Sequence, residues 1–529
     1  MTGQSTKRIL VCDPINEGGI ALLREHADVD IRTGLSEAQL MEIVGQYDAL
    51  VVRSATRVTA AVIEAADRLQ VIGRAGVGTD NIDLEAATRR GIVVVNAPTA
   101  NCIAAAEHTV AMMLALARHI PQADASLRRG RWEKGRFVGV EVRDKTLGIV
   151  GLGRIGTEVA KRAQGLGMEV VACDPFIPTD HAARLGVPLL PLEELLRKAD
   201  FISIHTPLTD TTRGMIGARE LALVKPTARL INCARGGIVD EEALLAALEE
   251  GRLAGAAMDV FSQEPAIANP LLRSDKVIAT PHLGASTQEA QVGVALDVAE
   301  QIIAVLEGRM AEHAVNAPLV PPEEMAALAP FCDLAERLGR FYTQVAADQM
   351  ERVRVVYSGE IAQHDTAPLK AALIKGLLEP VSEERINLVN AGLIARRRGL
   401  EIVEEKTTSA QQFTNLITLE VATSQGPRAV AGTVLWGQPH IVRIDEYWLD
   451  FVPQGYLLVS HHIEGPGILG RVGTLLGDSD VNISFVQVGR KGRGAEGVMV
   501  LGLDDPLSPE LLAEILTLPS ILSARVAKL

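Results

Sequence analysis

The chain reads as an α/β protein: two doubly wound parallel-sheet domains, then an α+β domain, then a small ferredoxin-like domain. Three observations predict this. Through roughly the first 310 residues, short aliphatic runs alternate with amphipathic stretches of helical period, the pattern of parallel strands joined by crossover helices. One such run enters Gly151-Leu-Gly-Arg-Ile-Gly156, a strand–turn–helix junction with G-x-G-x-x-G spacing. The last segment, Tyr456 to Leu529, has the order β-α-β-β-α-β.

Composition bounds the function. A chain of 529 residues is long enough for about three or four domains. With 47% hydrophobic but only 3% aromatic residues, its cores must be built from Ala, Val, Ile and Leu. A net charge of −14 argues against nucleic-acid or anionic-membrane partners, and any anionic ligand must be met by locally clustered Arg and Lys. Five cysteines (Cys12, Cys102, Cys173, Cys233, Cys332) are widely spread with no C-x-x-C pair, which fits reduced thiols and offers neither a disulfide frame nor a metal site. A strand begins at Lys7-Arg-Ile-Leu-Val-Cys12 with no apolar signal core before it, and the apolar stretch 102–117 is short and broken by Glu107 and His108. A soluble cytoplasmic protein is expected.

Taken in order, residues 9–12, 29–31, 49–52, 71–72 and 92–95 are strand-like, and Ser36-Glu-Ala-Gln39 is a capping box opening one of the helices between them. That completes a small α/β domain over 1–98, so the glycine motif opens a second one. A helical run over 101–119 leads into it. Beyond the motif, 192–198 and 241–249 read as helix, and 201–204, 228–232, 256–260 and 277–279 as strand. Ser286-Thr-Gln-Glu289 reads as a second capping box, opening a helix to residue 306 whose Ala-rich face is expected to pack on the 101–119 helix. Proline density in Asn316-Ala-Pro-Leu-Val-Pro-Pro322 marks a linker. Residues 323–452 mix helices (325–338, 369–378) with strands (353–357, 416–421, 440–444), and the final unit carries the turn Glu464-Gly-Pro-Gly467 before a helix at 468–476 and a strand from 481.

The glycine motif carries chemistry. Gly151 permits the turn, Gly153 lets backbone approach a pyrophosphate, and Gly156 lets helix pack closely on strand. Uncovered N–H groups at the helix start face the phosphates. The following strand, Glu169-Val-Val-Ala-Cys173, ends in Asp174, placed to hold ribose hydroxyls and to repel a 2′-phosphate. No Arg or Lys follows in Asp174-Pro-Phe-Ile-Pro178, so the cofactor reads as NAD and not NADP. With the glycines, this makes the second domain Rossmann-like.

Three later segments each place a charged residue where a parallel strand ends, the ligand-binding edge of such sheets. They are Asn232-Cys-Ala-Arg-Gly-Gly-Ile-Val-Asp240, Met258-Asp-Val-Phe-Ser-Gln-Glu-Pro265 and Thr280-Pro-His-Leu-Gly-Ala-Ser-Thr287. Oxidising an alcohol with NAD needs a base for the hydroxyl proton, and histidine titrates near working pH. A carboxylate behind the imidazole fixes its tautomer, and an Arg can clamp a 2-hydroxy acid's carboxylate with a planar fork. Arg235, Glu264 and His282 form a chemically sufficient set. Taken alone, Arg235 reads sooner as a salt-bridge partner, Glu264 as a turn carboxylate and His282 as a surface or satisfied core histidine.

Taken together, Gly-Leu-Gly-Arg-Ile-Gly (151–156), Cys-Ala-Arg-Gly-Gly (233–237), Gln-Glu-Pro (263–265) and Pro-His-Leu-Gly-Ala-Ser-Thr (281–287) closely resemble the D-isomer-specific 2-hydroxyacid dehydrogenase family. The resemblance implies that Arg235 orients substrate, Glu264 supports the imidazole and His282 is the acid–base. It places NAD against Val77, Arg154, Ile155, Asp174, Thr206, Asp259, Gly284 and Ala285, and against the backbone of Cys233 and Ala234, so that Cys233 is no nucleophile. It implies anion binding by Arg53, Arg74, Gly78 and Asn101, with Arg57 nearby. The cluster Arg128-Arg-Gly-Arg131, Lys134 and Arg136 either helps hold phosphate or is a solvated loop. It divides the chain into a discontinuous substrate domain (1–98 with 290–316), an NAD domain (99–289), an intervening domain (317–452) like that of long family members, and an ACT-like regulatory domain (455–529). Val355-Val-Tyr-Ser-Gly-Glu360 and Asn387-Leu-Val-Asn-Ala391 carry the third likeness. In the fourth, His462, Glu464 and Asn482 fall at positions that hold L-serine in relatives, although Asn or Asp is more usual than Glu464.

The implied activity is NAD-dependent oxidation of 3-phospho-D-glycerate, the first step of the phosphorylated route to L-serine, in a homodimer or homotetramer. The alternatives are another D-2-hydroxyacid dehydrogenase, acting on glyoxylate, hydroxypyruvate or D-lactate, and an NADH-sensing scaffold.

Overall fold

The computed structural model describes residues 6–318, 320, 322–346, 350–409, 412–424 and 426–529. Four sheets organise them. The first has five parallel strands in the order Asp28–Ile31, Arg8–Val11, Ala49–Val52, Val71–Arg74, Val93–Asn96. The second has six parallel strands in the order Val277–Ala279, Gly255–Met258, Arg229–Asn232, Phe201–Ile204, Thr146–Val150, Glu169–Cys173. Their central strands are buried along their whole length, as strands covered by helices on both faces must be. Apolar cores accordingly lie on both sides of each sheet.

Two long helices connect the sheets. Helix Cys102–Arg118 leaves the first sheet and packs on helix Arg154–Gly165 and on strands of the second. Helix Gln288–Leu306 returns, and packs on helix Glu17–Arg24 and on strands Val71–Arg74 and Val93–Asn96 of the first. The two connectors were expected to pack on each other. Instead each packs on the unit it leads to, and in the returning helix the approach is close: a Cβ on Gly19 would lie 2.6 Å from the Ala295 carbonyl oxygen. The helix start also differs from expectation. Thr287, not Ser286, is the N-cap, its hydroxyl accepting from Ala290 N at 3.1 Å, while Ser286 is bonded back into the preceding turn to Leu283 O. The first capping box forms as read at Ser36 and Gln39.

The linker read at 316–322 includes residues 319 and 321, which lie outside the described residues. After it, helix Pro322–Val345 and helix Ala367–Leu378 cover one face of a mixed six-stranded sheet, in which strand Glu401–Thr407 pairs parallel with Met350–Gly359 and the rest pair antiparallel. The last sheet is antiparallel, ordered Ile483–Arg490, Glu496–Leu503, Tyr456–Ile463, Ile521–Lys528, with helices Ile468–Asp478 and Pro509–Thr517 in the crossovers. This is the ferredoxin-like order. Leu457, Val459 and Val498 of this sheet share one apolar core with Leu334, Tyr357 and Leu419 of the preceding unit. Among the described residues no helix is long and apolar enough to cross a membrane.

The glycine turn shows why each glycine is needed. Gly151 has φ 95°, and a Cβ there would lie 2.8 Å from the His205 carbonyl oxygen. A Cβ on Gly156 would lie 2.1 Å from Gly151 O, so the helix sits directly on the turn. Around Gly153 nothing lies within 4 Å, and the helix it caps has no side-chain N-cap bond, leaving its first N–H groups uncovered. The two positions are therefore separable. Gly156→Ala should overpack the junction and cost about 1–3 kcal/mol, read as a lowered Tm. Gly153→Ala should leave Tm unchanged and weaken NADH binding, read by fluorescence titration; loss of Tm at Gly153 with unchanged NADH affinity would refute the assignment.

Candidate active site

A cleft of about 1290 Å³ lies between the two parallel sheets at the carboxyl ends of their strands. Arg53, Arg74, Val77 and Asn101 line it from the first unit and its connector. Ile155, Cys233, Arg235, Glu264, His282, Gly284 and Ala285 line it from the second.

On the first side, buried Asp13 shapes the Arg53 loop. Its carboxylate accepts from Arg53 N at 2.5 Å, Thr56 N at 3.2 Å and the Thr56 hydroxyl at 2.8 Å. Asn81 donates to the Arg53 and Thr56 carbonyls at 2.7 and 2.6 Å, tying the next loop to this one. The Arg74 guanidinium has a buried Nε without a hydrogen-bond partner. Burial first, then the nearby charge of Arg235, push its pKa down to about 10. It remains charged at neutral pH, an under-satisfied cation beside an open cleft. Asn101 likewise holds a buried side-chain oxygen without a partner.

On the second side, fully buried Asn232 sets the Arg235 turn. Its amide donates to Arg235 O at 3.0 Å and its oxygen accepts from Ala234 N at 3.1 Å. A Cβ on Gly236 would meet Phe261 O at 1.8 Å, so the Arg235 loop can lie on the Glu264 loop only with glycine there. Gly78 is not on the cleft wall, but a Cβ there would lie 2.1 Å from Arg235 Nη2.

His282 Nδ1 lies 2.9 Å from Glu264 Oε2, and Glu264 Oε1 accepts from Phe261 N at 3.1 Å. With Nδ1–H donated to the carboxylate, Nε2 is the nitrogen left to accept a proton. His282 has φ 56°, an uncommon conformation for a non-glycine residue. Asp259 holds it there: its backbone carbonyl accepts from His282 N at 2.8 Å, and its buried carboxylate accepts from the Thr280 hydroxyl at 2.6 Å, Leu283 N at 2.7 Å and Gly284 N at 2.9 Å. Burial works against the Asp259 charge, but these bonds and His108 outweigh it and lower the pKa. His108, Cys233 and Asp259 bring potential metal-ligand atoms within 4.8 Å of one another, a grouping not visible in sequence. Their donors and acceptors are engaged with Thr109, Thr280 and the His282 loop, and burial pushes the Cys233 thiol up to about 12, which does not suit a nucleophile.

The cofactor residues fit NAD. Asp174 is fixed beside the glycine turn by accepting from Leu152 N at 2.8 Å and Phe176 N at 2.9 Å. The buried Thr206 hydroxyl has no partner and adjoins Gly151. Arg154, at the helix start, reaches across to Pro98 O at 3.4 Å.

Two groups do not converge. Within one chain the Arg128–Arg136 cluster lies off the cleft, with Arg128 paired to Asp124 and Arg136 to Asp275. His462 and Asn482 lie at opposite ends of the last sheet: His462 pairs with Gly497, whereas Asn482 precedes Ile483, which pairs with Leu503 opposite Tyr456. At ~3.3 Å per residue this separates them by roughly 20 Å. His462 is buried with neither ring nitrogen hydrogen-bonded, Glu464 binds Arg490 at 2.7 Å, and Asn482 donates to Asp504 at 2.6 Å.

Sequence reasoning missed Asp13, Asp80, Asn81, His108 and Asn232. Asp80 binds Arg235 Nε at 3.2 Å, and its one sequence signal is its place beside the Gly76-Val-Gly-Thr turn.

Glu264 supplies a pH test. Burial pushes its carboxyl up, but the His282 hydrogen bond and charge outweigh this and hold it below the usual range. A carboxyl depressed in the native state contributes stability that is present above its unfolded value near ~4.3 and is lost as pH falls through the native value. Between roughly pH 5 and pH 3 the wild-type Tm should fall more steeply than that of Glu264→Gln, as read by scanning calorimetry. Parallel curves would break the link.

Residues 110–284 match the family described as D-isomer specific 2-hydroxyacid dehydrogenase, NAD binding domain, and residues 327–445 match the D-3-phosphoglycerate dehydrogenase intervening domain. A D-3-phosphoglycerate dehydrogenase of Methanocaldococcus jannaschii is 48% identical over 99% of this chain and 100% of its own length. One from Synechocystis is 48% identical over 99% of this chain and 95% of its own. The structure of a D-lactate dehydrogenase from Aquifex aeolicus, complexed with NAD and lactic acid, is similar with TM-score 0.54 and 26% identity, over 59% of this chain and 100% of that one. The chain is an NAD-dependent dehydrogenase, and it belongs to the D-3-phosphoglycerate dehydrogenase family of D-isomer-specific 2-hydroxyacid dehydrogenases.

Proposed function

We propose that the chain oxidises 3-phospho-D-glycerate to 3-phosphohydroxypyruvate, the first step of the phosphorylated route to L-serine. The observation that carries this is the division of the cleft, with Glu264 and His282 on one wall and Arg53, Arg57 and Arg74 on the other. A phosphorylated 2-hydroxy acid has an anion at each end and needs cations at both. Arg235 takes the carboxylate, and the first-unit arginines take the phosphate. NAD supplies the hydride acceptor when bound. His282 Nε2 takes the C2 hydroxyl proton, and Glu264 stabilises the resulting imidazolium. The D-lactate dehydrogenase likeness stops at the core, whereas the likeness to the phosphoglycerate enzymes runs through the intervening and last units. A cytoplasmic homo-oligomer is the form expected for such an enzyme.

NADH production should be greater with 3-phosphoglycerate than with glycerate or D-lactate, and His282→Ala should lose about 10²–10⁴-fold in kcat. Preference for an unphosphorylated acid would support the broader dehydrogenase reading. Absence of turnover with every acid would support the scaffold.

We also propose the ferredoxin-like unit as an L-serine sensor, with His462 from one protomer and Asn482 from its partner completing the site. Glu464 is already engaged by Arg490, which a bound amino acid must displace. Serine inhibition should therefore be weak in the wild type and stronger by about tenfold in Glu464→Asn, since releasing a charge-assisted bond is worth ~1.5 kcal/mol. Equal inhibition curves for the two proteins would refute this.

A further inference from the structure

We infer that Asp80 is a positioning residue: it fixes the orientation of the Arg235 guanidinium and makes that orientation depend on the apposition of the two parallel-sheet units. This rests on the proposed role of Arg235 as partner of the substrate carboxylate. Asp80 follows strand Val71–Arg74 of the first sheet, and Arg235 follows strand Arg229–Asn232 of the second, so their bond spans the cleft.

Arg235 donates from Nε to Asp80 Oδ2 at 3.2 Å and from Nη1 to Ala234 O at 2.7 Å. These bonds take the Nε–H and one Nη1 hydrogen, on different sides of the guanidinium, and leave Nη2 and the second Nη1 hydrogen for a ligand. Gly78 leaves the room Nη2 occupies. Asp80 itself stands on a braced backbone. The adjacent Asn81 is bonded to the Arg53 and Thr56 carbonyls, and Asp13 holds the same loop from behind. The carboxylate that grips Arg235 thus belongs to the framework that carries Arg53. The two guanidinium groups assigned to opposite ends of one substrate are brought into fixed relation through Asn81 and Asp80.

A carboxylate beside an anion site also repels the anion. Here the Asp80 side chain is 63% exposed, and Arg53, Arg57, Arg74 and Arg235 all line the cleft, so its repulsion is screened and outnumbered. Holding a long, rotamer-rich side chain in its productive geometry is the larger effect.

The test uses full-length Asp80→Asn and Asp80→Glu in wild-type and Arg235→Lys backgrounds. Two quantities are read: kcat and KM for 3-phosphoglycerate, and calorimetric binding of oxamate, a phosphate-free 2-keto acid mimic, to the NADH-loaded protein. Asp80→Asn should lower kcat/KM by about 10–100-fold and weaken oxamate about tenfold, with Tm and NADH affinity unchanged, and Asp80→Glu should recover part of the loss. In the Arg235→Lys background, where no Nε edge exists, Asp80→Asn should cost less than about twofold. Wild-type-like kinetics in Asp80→Asn, equal losses in both backgrounds, or tighter oxamate binding would each overturn the inference. The last would make Asp80 a competitor for Arg235. A wild-type protein inactive on 3-phosphoglycerate, in which oxamate binding still falls with Asp80→Asn, would remove the substrate assignment and leave Asp80's role standing.

Discussion

The loop that carries His282 depends on one buried carboxylate. Asp259 is 1% exposed, and its three side-chain bonds and one backbone bond hold residues 280–284 against the end of strand Gly255–Met258. Burying an ionised group is costly unless it is well bonded, and here each carboxylate oxygen of Asp259 has a donor. The same bonds maintain His282 in its left-handed conformation, and from there its ring meets Glu264. In this chain Asp259 builds the loop that carries His282.

A second constraint is electrostatic. The chain is acidic overall, yet the cleft is locally basic, and the buried Nε of Arg74 has no hydrogen-bond partner. In a low-dielectric recess a cation left short of hydrogen bonds is a strong anion receptor, because the bound anion recovers what burial removed. Net charge acts at long range and is screened within about 10 Å at ordinary ionic strength, so the two facts do not conflict.

Much of this was legible in the sequence because it is local. The three glycines, the Ser36 capping box and the strand-end placement of Arg235, Glu264 and His282 follow from short-range sterics and from the period of apolar residues. What escaped is non-local. Ser286 and Thr287 are both plausible caps, and only the turn that engages Ser286 N with Leu283 decides between them. The Ala-rich connector helix announces close packing without naming its partner, and Gly19, some 270 residues earlier, is what it meets. Asp80 resembles any turn aspartate until the sheets are placed face to face. His462 and Asn482 occupy familiar positions, but the strand register puts them at opposite ends of one sheet, so a ligand that touches both requires a second chain.

The connectors also determine where the chain passes between the units. Because each long helix packs on the sheet it leads to, the chain crosses at the segments just before the two helices. One is the stretch ending at Asn101, and the other is the stretch from Gly284 to Thr287. Both border the cleft: Asn101, Gly284 and Ala285 line its wall. A ligand touching these residues therefore contacts both crossings directly. The Asp80–Arg235 bond joins the two units, whereas the bonds of His282 to Glu264 and Asp259 lie within one unit. The His282–Glu264 pair is thus held by a single unit, and the Arg235 guanidinium is oriented from both.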